Sequence, residues 1–267
     1  MMSATAAASP ESFFTIFHSG GNRHIRYKKV GHGNHVLLLL PGAIGTIETD
    51  FGAQMNELDQ SIFTLVSWDP PGYGRFGDAE RIWDVKMLDT DADFAVELMR
   101  HLNVKRFSIL GWSDGANTAV LIAAKYPDLV GSLVAIGGNA YADAADIQIY
   151  EDCRDVDAWA PELKEPMFDV YGREKYIRLW HNWIDTMKLI FKERDGNFCK
   201  DALDKVQART LIVSGRDDDA VPLHHQYYFM EHIKNAELWI VSNAGHDVHL
   251  TRSKYFNAMV TTFLQAQ

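Results

Sequence analysis

The stretch "RFSILGWSDGANTAVLIAA", residues 106–124, constrains the fold more than any other part of the chain. An apolar run of strand length stops at Gly111, passes through Trp112, Ser113 and Asp114, and resumes after Gly115 as an apolar helical segment. A serine between two glycines, with a strand before it and a helix after it, fits a sharp strained turn that exposes the hydroxyl. Gly111 and Gly115 omit the side chains that would keep the two arms of that turn apart.

The rest of the chain repeats the strand-then-helix plan. "FFTIF" (13–17) and "HIRYKKV" (24–30), joined by the turn composition "SGGNR", read as a hairpin. "HVLLLLPG" (35–42) and "IFTLVSWDPPGYG" (62–74) are continuous apolar runs closed by Pro and Gly, as expected of strands buried on both faces. A helical segment (89–104), the strand and helix around Ser113, and a strand over 129–138 follow. "ARTLIVSG" (208–215), a helix around "HHQYYFMEHIKN", "AELWIVSNAG" (236–245) and a final helix "KYFNAMVTTFL" complete the series. Strands alternating with helices predict an α/β fold, a mostly parallel sheet covered on both faces.

Between 141 and 205 the alternation stops. Trp159, Tyr171, Tyr176, Trp180, Trp183 and Phe191 lie there in polar, helical-looking sequence. The reading is a core of 1–140 and 206–267 with a helical cap, 141–205, over the C-terminal edge of the sheet, where open α/β sheets bind ligands. Packing is the ordinary use of such aromatics.

Composition excludes several functions. With 26 Lys plus Arg against 36 Asp plus Glu, the net charge is −10. No basic cluster offers a nucleic-acid surface. The longest strongly apolar run, "VLLLL", is far too short to span a bilayer. Cys153 and Cys199 form no CxxC pattern and read as free thiols. The first 22 residues contain no Arg or Lys, so neither a secretory signal nor a transit peptide is visible; a cytoplasmic monomer is expected, with the mitochondrion as the alternative compartment. "GYGRFG" (72–77) matches GxGxxG but leads into no apolar helix, so no dinucleotide cofactor is expected. His224 and His225 are adjacent, which argues against both facing one helix side, and HExxH is absent; no metal is expected.

A serine nucleophile needs a base, and the base needs an acid that fixes its tautomer. In α/β enzymes with this elbow the chain order is serine, acid, histidine. "SGRDDDAVP" and "SNAGHDVHL" each follow a buried-looking strand at the edge that carries Ser113. His246 is the candidate base and His249 the runner-up. Asp217, Asp218 and Asp219 compete for the acid. The amide of Asp114, at the helix start, is one candidate oxyanion donor.

From "GWSDG" through "GRDDDAVP" to "AGHDVHL", the chain resembles the α/β-hydrolase superfamily, and within it the valacyclovir hydrolase, or biphenyl hydrolase-like, group. "LLLPGAIGTIETDFG" (38–52), "WDPPGYG" (68–74), "AAKYPDLV" (123–130) and "NAYADAADIQIYEDCRDVDAWA" (139–160) extend the resemblance over most of the chain from residue 35. It implies an α/β-hydrolase fold with a helical cap. The group's DxxVP pattern selects Asp218, and the resemblance places a second oxyanion amide at Ala43 in "PGAIG". Two departures, Pro71 in place of a common Arg and Phe76 in place of a frequent Ser, bear on the pocket wall.

Asp114 poses a problem, because a carboxylate beside the nucleophile opposes the negative charge that attack builds on the substrate. The penalty disappears when the substrate brings a cation, as the ammonium of an α-amino ester does. The resembling group hydrolyses such esters and has an acid at this place. The expectation is a small-molecule ester substrate with a free amino group paired to Asp114, cleaved through an acyl-enzyme. Alternatives are a carbon–carbon bond hydrolase, a general carboxylesterase, or a non-catalytic binding protein of the same fold.

Overall fold

The computed structural model describes residues 12–18, 21–76 and 80–266. Among the described residues, eight strands form one sheet in the order β1-β2-β4-β3-β5-β6-β7-β8. The strands are β1 (Ser12–His18), β2 (Gly21–Val30), β3 (His35–Leu40), β4 (Phe63–Trp68), β5 (Phe107–Trp112), β6 (Val130–Ile136), β7 (Arg209–Gly215) and β8 (Ala236–Val241). β1 and β2 pair antiparallel, as does β2 with β4, and every pairing from β4 to β8 is parallel. The alternating strand and helix pattern therefore gives the mostly parallel sheet it predicts.

The run "VLLLL" is apolar throughout because β3 is covered on both faces. Leu38 and Leu40 point into a core built with helices α2 (Met87–His101), α3 (Asp114–Lys125) and α7 (His224–His232). Leu37 and Leu39 point the other way, against α1 (Ile47–Glu57) and the C-terminal helix (Ser253–Gln265). Successive strand side chains face opposite sides, so two-sided burial removes the polar positions a half-exposed strand would show. Truncating any of these leucines to alanine would cost roughly 2–5 kcal/mol.

After β3 the chain runs to β4 on one side, then crosses back to β5 on the other side of β3. The C-terminal ends of β3 and β5 flank this change of direction, where open α/β sheets form a crevice. Ser113 follows β5 directly, and the "PGAIG" loop follows β3.

Between β6 and β7 lie α4 (Ala144–Asp152), α5 (Pro161–Tyr171) and α6 (Arg173–Arg194), with two short 3-10 turns. Within this insert only an isolated bridge, Tyr141 to Asn197, is strand-like. Asp143 caps α4, accepting from the amides of Ala145 and Asp146 while Asp146 accepts from Asp143 N. Tyr150, Tyr171, Tyr176 and Trp183 pack in a third core with Ile44 and Tyr73 of the strand-end loops. The insert's aromatics thus fill a core shared with the sheet edge. Of the described helices, none is long and apolar enough to cross a membrane. The "GYGRFG" match includes Gly77, which lies outside the described residues.

Candidate active site

Ser113 sits at the N-cap of α3 with φ 55° and ψ −122°. A non-glycine residue at positive φ is strained by about 1–3 kcal/mol and persists only where its surroundings enforce it. Here the enforcement is steric. A Cβ on Gly111 would lie 2.2 Å from the Gly115 carbonyl oxygen, and one on Gly115 would lie 2.0 Å from that of Leu40. Ser113 N donates to Ile136 O at 2.8 Å, tying the elbow to the end of β6.

His246 and Asp218 meet beside that point. His246 Nδ1 lies 2.8 Å from Asp218 Oδ2. Because an ionised carboxylate only accepts, this contact selects the tautomer with the proton on Nδ1, which in the neutral ring leaves the lone pair on Nε2. The other carboxylate oxygen accepts from the amides of Ala220 (3.0 Å) and Val221 (2.8 Å), which fixes the carboxylate plane. Gly137, at the end of β6, makes room for the pair: a Cβ there would lie 3.0 Å from the His246 ring. Trp112 Nε1 donates to His246 O at 2.9 Å, so the residue before Ser113 holds the histidine loop. The Ser113 hydroxyl has no hydrogen bond among the described residues. Loose nucleophile-to-base contacts are common in substrate-free sites.

The competing acids and the competing base separate by burial. Asp218 is buried, whereas Asp217 and Asp219 are exposed. His249 is fully buried, with Nε2 on Asp50 O at 2.9 Å and its ring 4.7 Å from that of Trp112. Burial pushes its imidazole down to about 3. It is a neutral packing residue and not a base.

The loop after β3 passes against the nucleophile. A Cβ on Gly42 would come within 3.2 Å of Ser113 Cβ. Ala43 follows, and neither its amide nor that of Asp114 has an acceptor among the described residues. Ile44, fully buried, stands at φ 58°, an outlier for a β-branched residue.

Asp114 is buried, with Oδ2 accepting from Trp183 Nε1 of α6 at 2.6 Å. Its other oxygen has no partner among the described residues. Burial pushes the carboxyl up to about 6, against the opposing pull of the Trp183 hydrogen bond and of the Arg81 and His246 charges. Arg81 and Asp114 line one small cavity, together with Trp68, Tyr73, Asp91 and Thr118. The Arg81 guanidinium lies 4.2 Å from the Tyr73 ring centroid and is paired with Asp91 at 2.5 Å. Trp183, Arg81 and Asp91 were invisible as site residues in the sequence, because only the tertiary fold brings Trp183 onto Asp114 and Arg81 and Asp91 into the cavity beside it. The "WSDG" acid was the one available signal.

Two sequence expectations are corrected. His224 and His225 do converge: their rings lie 4.0 Å apart in the first turn of α7, and with Asp146 they bring three ligand-type atoms within 4.8 Å of one another. His225 Nε2 is 3.0 Å from Asp146 Oδ1, a buried pair that ties α4 to α7. Phe76 does not line the cavity shared by Arg81 and Asp114; it packs edge-on to Phe13 of β1, at 5.7 Å. Pro71 does reach the cavity's surroundings, its carbonyl accepting from Arg81 at 3.2 Å.

Comparison with known proteins agrees with this architecture. The pattern of the alpha/beta hydrolase fold matches residues 35–171, and that of TAP-like proteins matches 193–267. The human serine hydrolase BPHL is 39 % identical over 241 residues, covering 90 % of this chain and 83 % of its own. A 2-hydroxy-6-oxononadienedioate/2-hydroxy-6-oxononatrienedioate hydrolase of Escherichia coli K12 is 23 % identical, with 96 % of each chain covered. The solved structure of MGS-M2, an alpha/beta hydrolase from a Medee basin deep-sea metagenome library, superposes with a TM-score of 0.73 at 21 % identity, covering 95 % of this chain and 98 % of that one. With an elbow serine at the end of β5, a sheet of this topology and this degree of identity, the chain belongs to the α/β-hydrolase family, among the serine hydrolases related to BPHL.

Proposed function

We propose that the protein hydrolyses α-amino-acid esters bearing a free amino group, through an acyl-enzyme on Ser113. Ser113 Oγ attacks the ester carbonyl while His246 Nε2 takes its proton and Asp218 steadies the imidazolium. The tetrahedral oxyanion is held by the Ala43 and Asp114 amides, each worth roughly 2.7–4 kcal/mol in comparable sites. His246 returns the proton to the leaving alcohol, and water then attacks the acyl-enzyme by the same route to release the amino acid.

One observation carries the substrate class: a buried carboxylate next to the nucleophile, with one oxygen held by Trp183 and the other without a partner. A substrate ammonium, one carbon from the scissile carbonyl, would complete that arrangement and remove the charge that otherwise opposes attack. The charge-assisted contact would contribute about 1.5–3 kcal/mol. A dianionic substrate such as that named for the Escherichia coli relative would instead meet Asp114 charge against charge. The test is a rate panel on wild-type protein: a valine ester, the matching 3-methylbutanoate ester and the matching amide. Preference for the valine ester is expected; equal rates on the two esters would refute the amino-acid assignment.

A further inference from the structure

The loop that carries the Ala43 amide is held by side chains from three separate elements. Asp50 of α1 accepts from Gly42 N through Oδ2 at 2.8 Å, and from Thr49 Oγ1 through Oδ1 at 2.7 Å. Asp69, after β4, accepts from Ile47 N at 2.9 Å and from Arg26 at 3.1 Å. Tyr171, at the end of α5 in the insert, donates its hydroxyl to Ile44 O at 2.7 Å and accepts from Gly74 N at 2.8 Å. The loop is bound on both sides of Ala43, and its strained residue, Ile44, is the one the insert grips.

The fit leaves no slack. A Cβ on Gly45 would lie 1.7 Å from Asp50 Oδ2, so the loop closes directly onto the carboxylate. Asp50 is almost fully buried, and burial pushes its carboxyl up to about 7. Burying such a group is unfavourable unless its oxygens are hydrogen-bonded; here they face donors from the loop and from Thr49. The Asp50 carbonyl also accepts from His249 Nε2, and the His249 ring lies against Trp112, whose indole holds the His246 loop. One connected set of contacts therefore reaches both the candidate oxyanion amide and the candidate base.

Resting on the serine-hydrolase reading above, we propose that Asp50 and Tyr171 are positioning residues that clamp the 42–47 loop, so that docking of the insert through the Tyr171 hydroxyl sets the aim of the Ala43 amide. Neither needs to touch substrate. Their contribution falls on the transition state, because a donor misplaced by about 1 Å loses much of its stabilisation while ground-state binding is little changed.

The experiment compares Tyr171→Phe and Asp50→Asn with wild type by ester kcat and KM, by the inhibition constant of phenylboronic acid as a tetrahedral anionic probe, and by thermal melting. Tyr171→Phe keeps the ring packing and serves if Asp50→Asn fails to fold. A fall in kcat of about tenfold for Tyr171→Phe, and of tenfold to a hundredfold for Asp50→Asn, is expected, with KM within about twofold and boronate affinity falling alongside kcat. Unchanged kcat in folded Tyr171→Phe would overturn the proposal, as would a lower kcat with unchanged boronate affinity. The underlying reading fails separately, if Ser113→Ala retains ester turnover.

Discussion

Asp218 and Asp114 are equally buried, each about 8 % exposed, yet the regions that hold them are built differently. Asp218 is fixed by amides two and three residues ahead and by a histidine on the neighbouring strand-end loop. Those loops are joined by backbone hydrogen bonds, Arg216 N to Val241 O and Asp217 N to Ala244 O. Asp114 instead takes a side-chain hydrogen bond from Trp183, 69 residues away in the insert. The sheet edge alone assembles the proposed proton-transfer pair, whereas the environment of the proposed selectivity residue depends on how the insert docks. Rate and selectivity should therefore respond to different substitutions.

The largest expected effect lies on the sheet-edge side. Ser113→Ala should leave a folded protein with ester turnover lowered by at least about three orders of magnitude, since members of such a unit fail together. Circular dichroism and turnover with a purified sample check it. Near wild-type turnover would remove the nucleophile assignment. Asp218→Asn should follow, with a loss of about two to four orders of magnitude through the wrong histidine tautomer. Asp217→Asn and Asp219→Asn, both exposed, should stay within a few-fold of wild type. A large loss in either of the exposed pair would place the acid elsewhere.

Substitution on the insert side should act mainly on preference. Trp183→Phe removes the N–H that stabilises the Asp114 carboxylate, a contact worth about 1.5 kcal/mol. The ratio of kcat/KM for the valine ester over the 3-methylbutanoate ester should fall up to about tenfold, with much less change on the neutral ester. An equal loss on both esters would make Trp183 a packing residue alone.

The smallest effect is the pH dependence of the same ratio. Burial sets the Asp114 carboxyl near 6, so the anion forms as pH rises through that value. The substrate ammonium is lost above its α-amino pKa of roughly 7.7. Preference should rise through about pH 6, reach its maximum near neutrality and fall in mildly alkaline solution. Trp183→Phe should move the rising limb to higher pH, because a donor to the anion has gone. A ratio flat from pH 5 to 9 would show that no ion pair underlies it.

How far the sequence could be read follows from the same division. The strand, elbow and helix around Ser113 are local, so composition and glycine spacing suffice to place them. Two-sided burial of β3 was legible because it leaves no polar position in "VLLLL". The three consecutive acids were not separable from their own composition; the DxxVP resemblance singled out Asp218, and the turn geometry buries that one while leaving Asp217 and Asp219 exposed. His224 and His225 misled because helix-face arithmetic ignores the first turn, where side chains can splay toward a residue of another element, here Asp146. Tyr171 and Trp183 stood among the insert's aromatics with nothing to mark them, their polar atoms reaching residues 127 and 69 positions away. Such long-range contacts have no sequence period.

On the proposed reading, Asp114 selects substrates by their charge, beside machinery that cleaves esters regardless of it. The decisive measurement is the kcat/KM ratio of the valine ester to the 3-methylbutanoate ester at pH 7 in wild type and in Asp114→Ala. A wild-type preference of about 10- to 150-fold, corresponding to 1.5–3 kcal/mol, should collapse toward unity in the variant, chiefly through loss of the valine ester rate. A variant that kept the full preference would place ammonium recognition on another group and return Asp114 to a structural role at the start of α3.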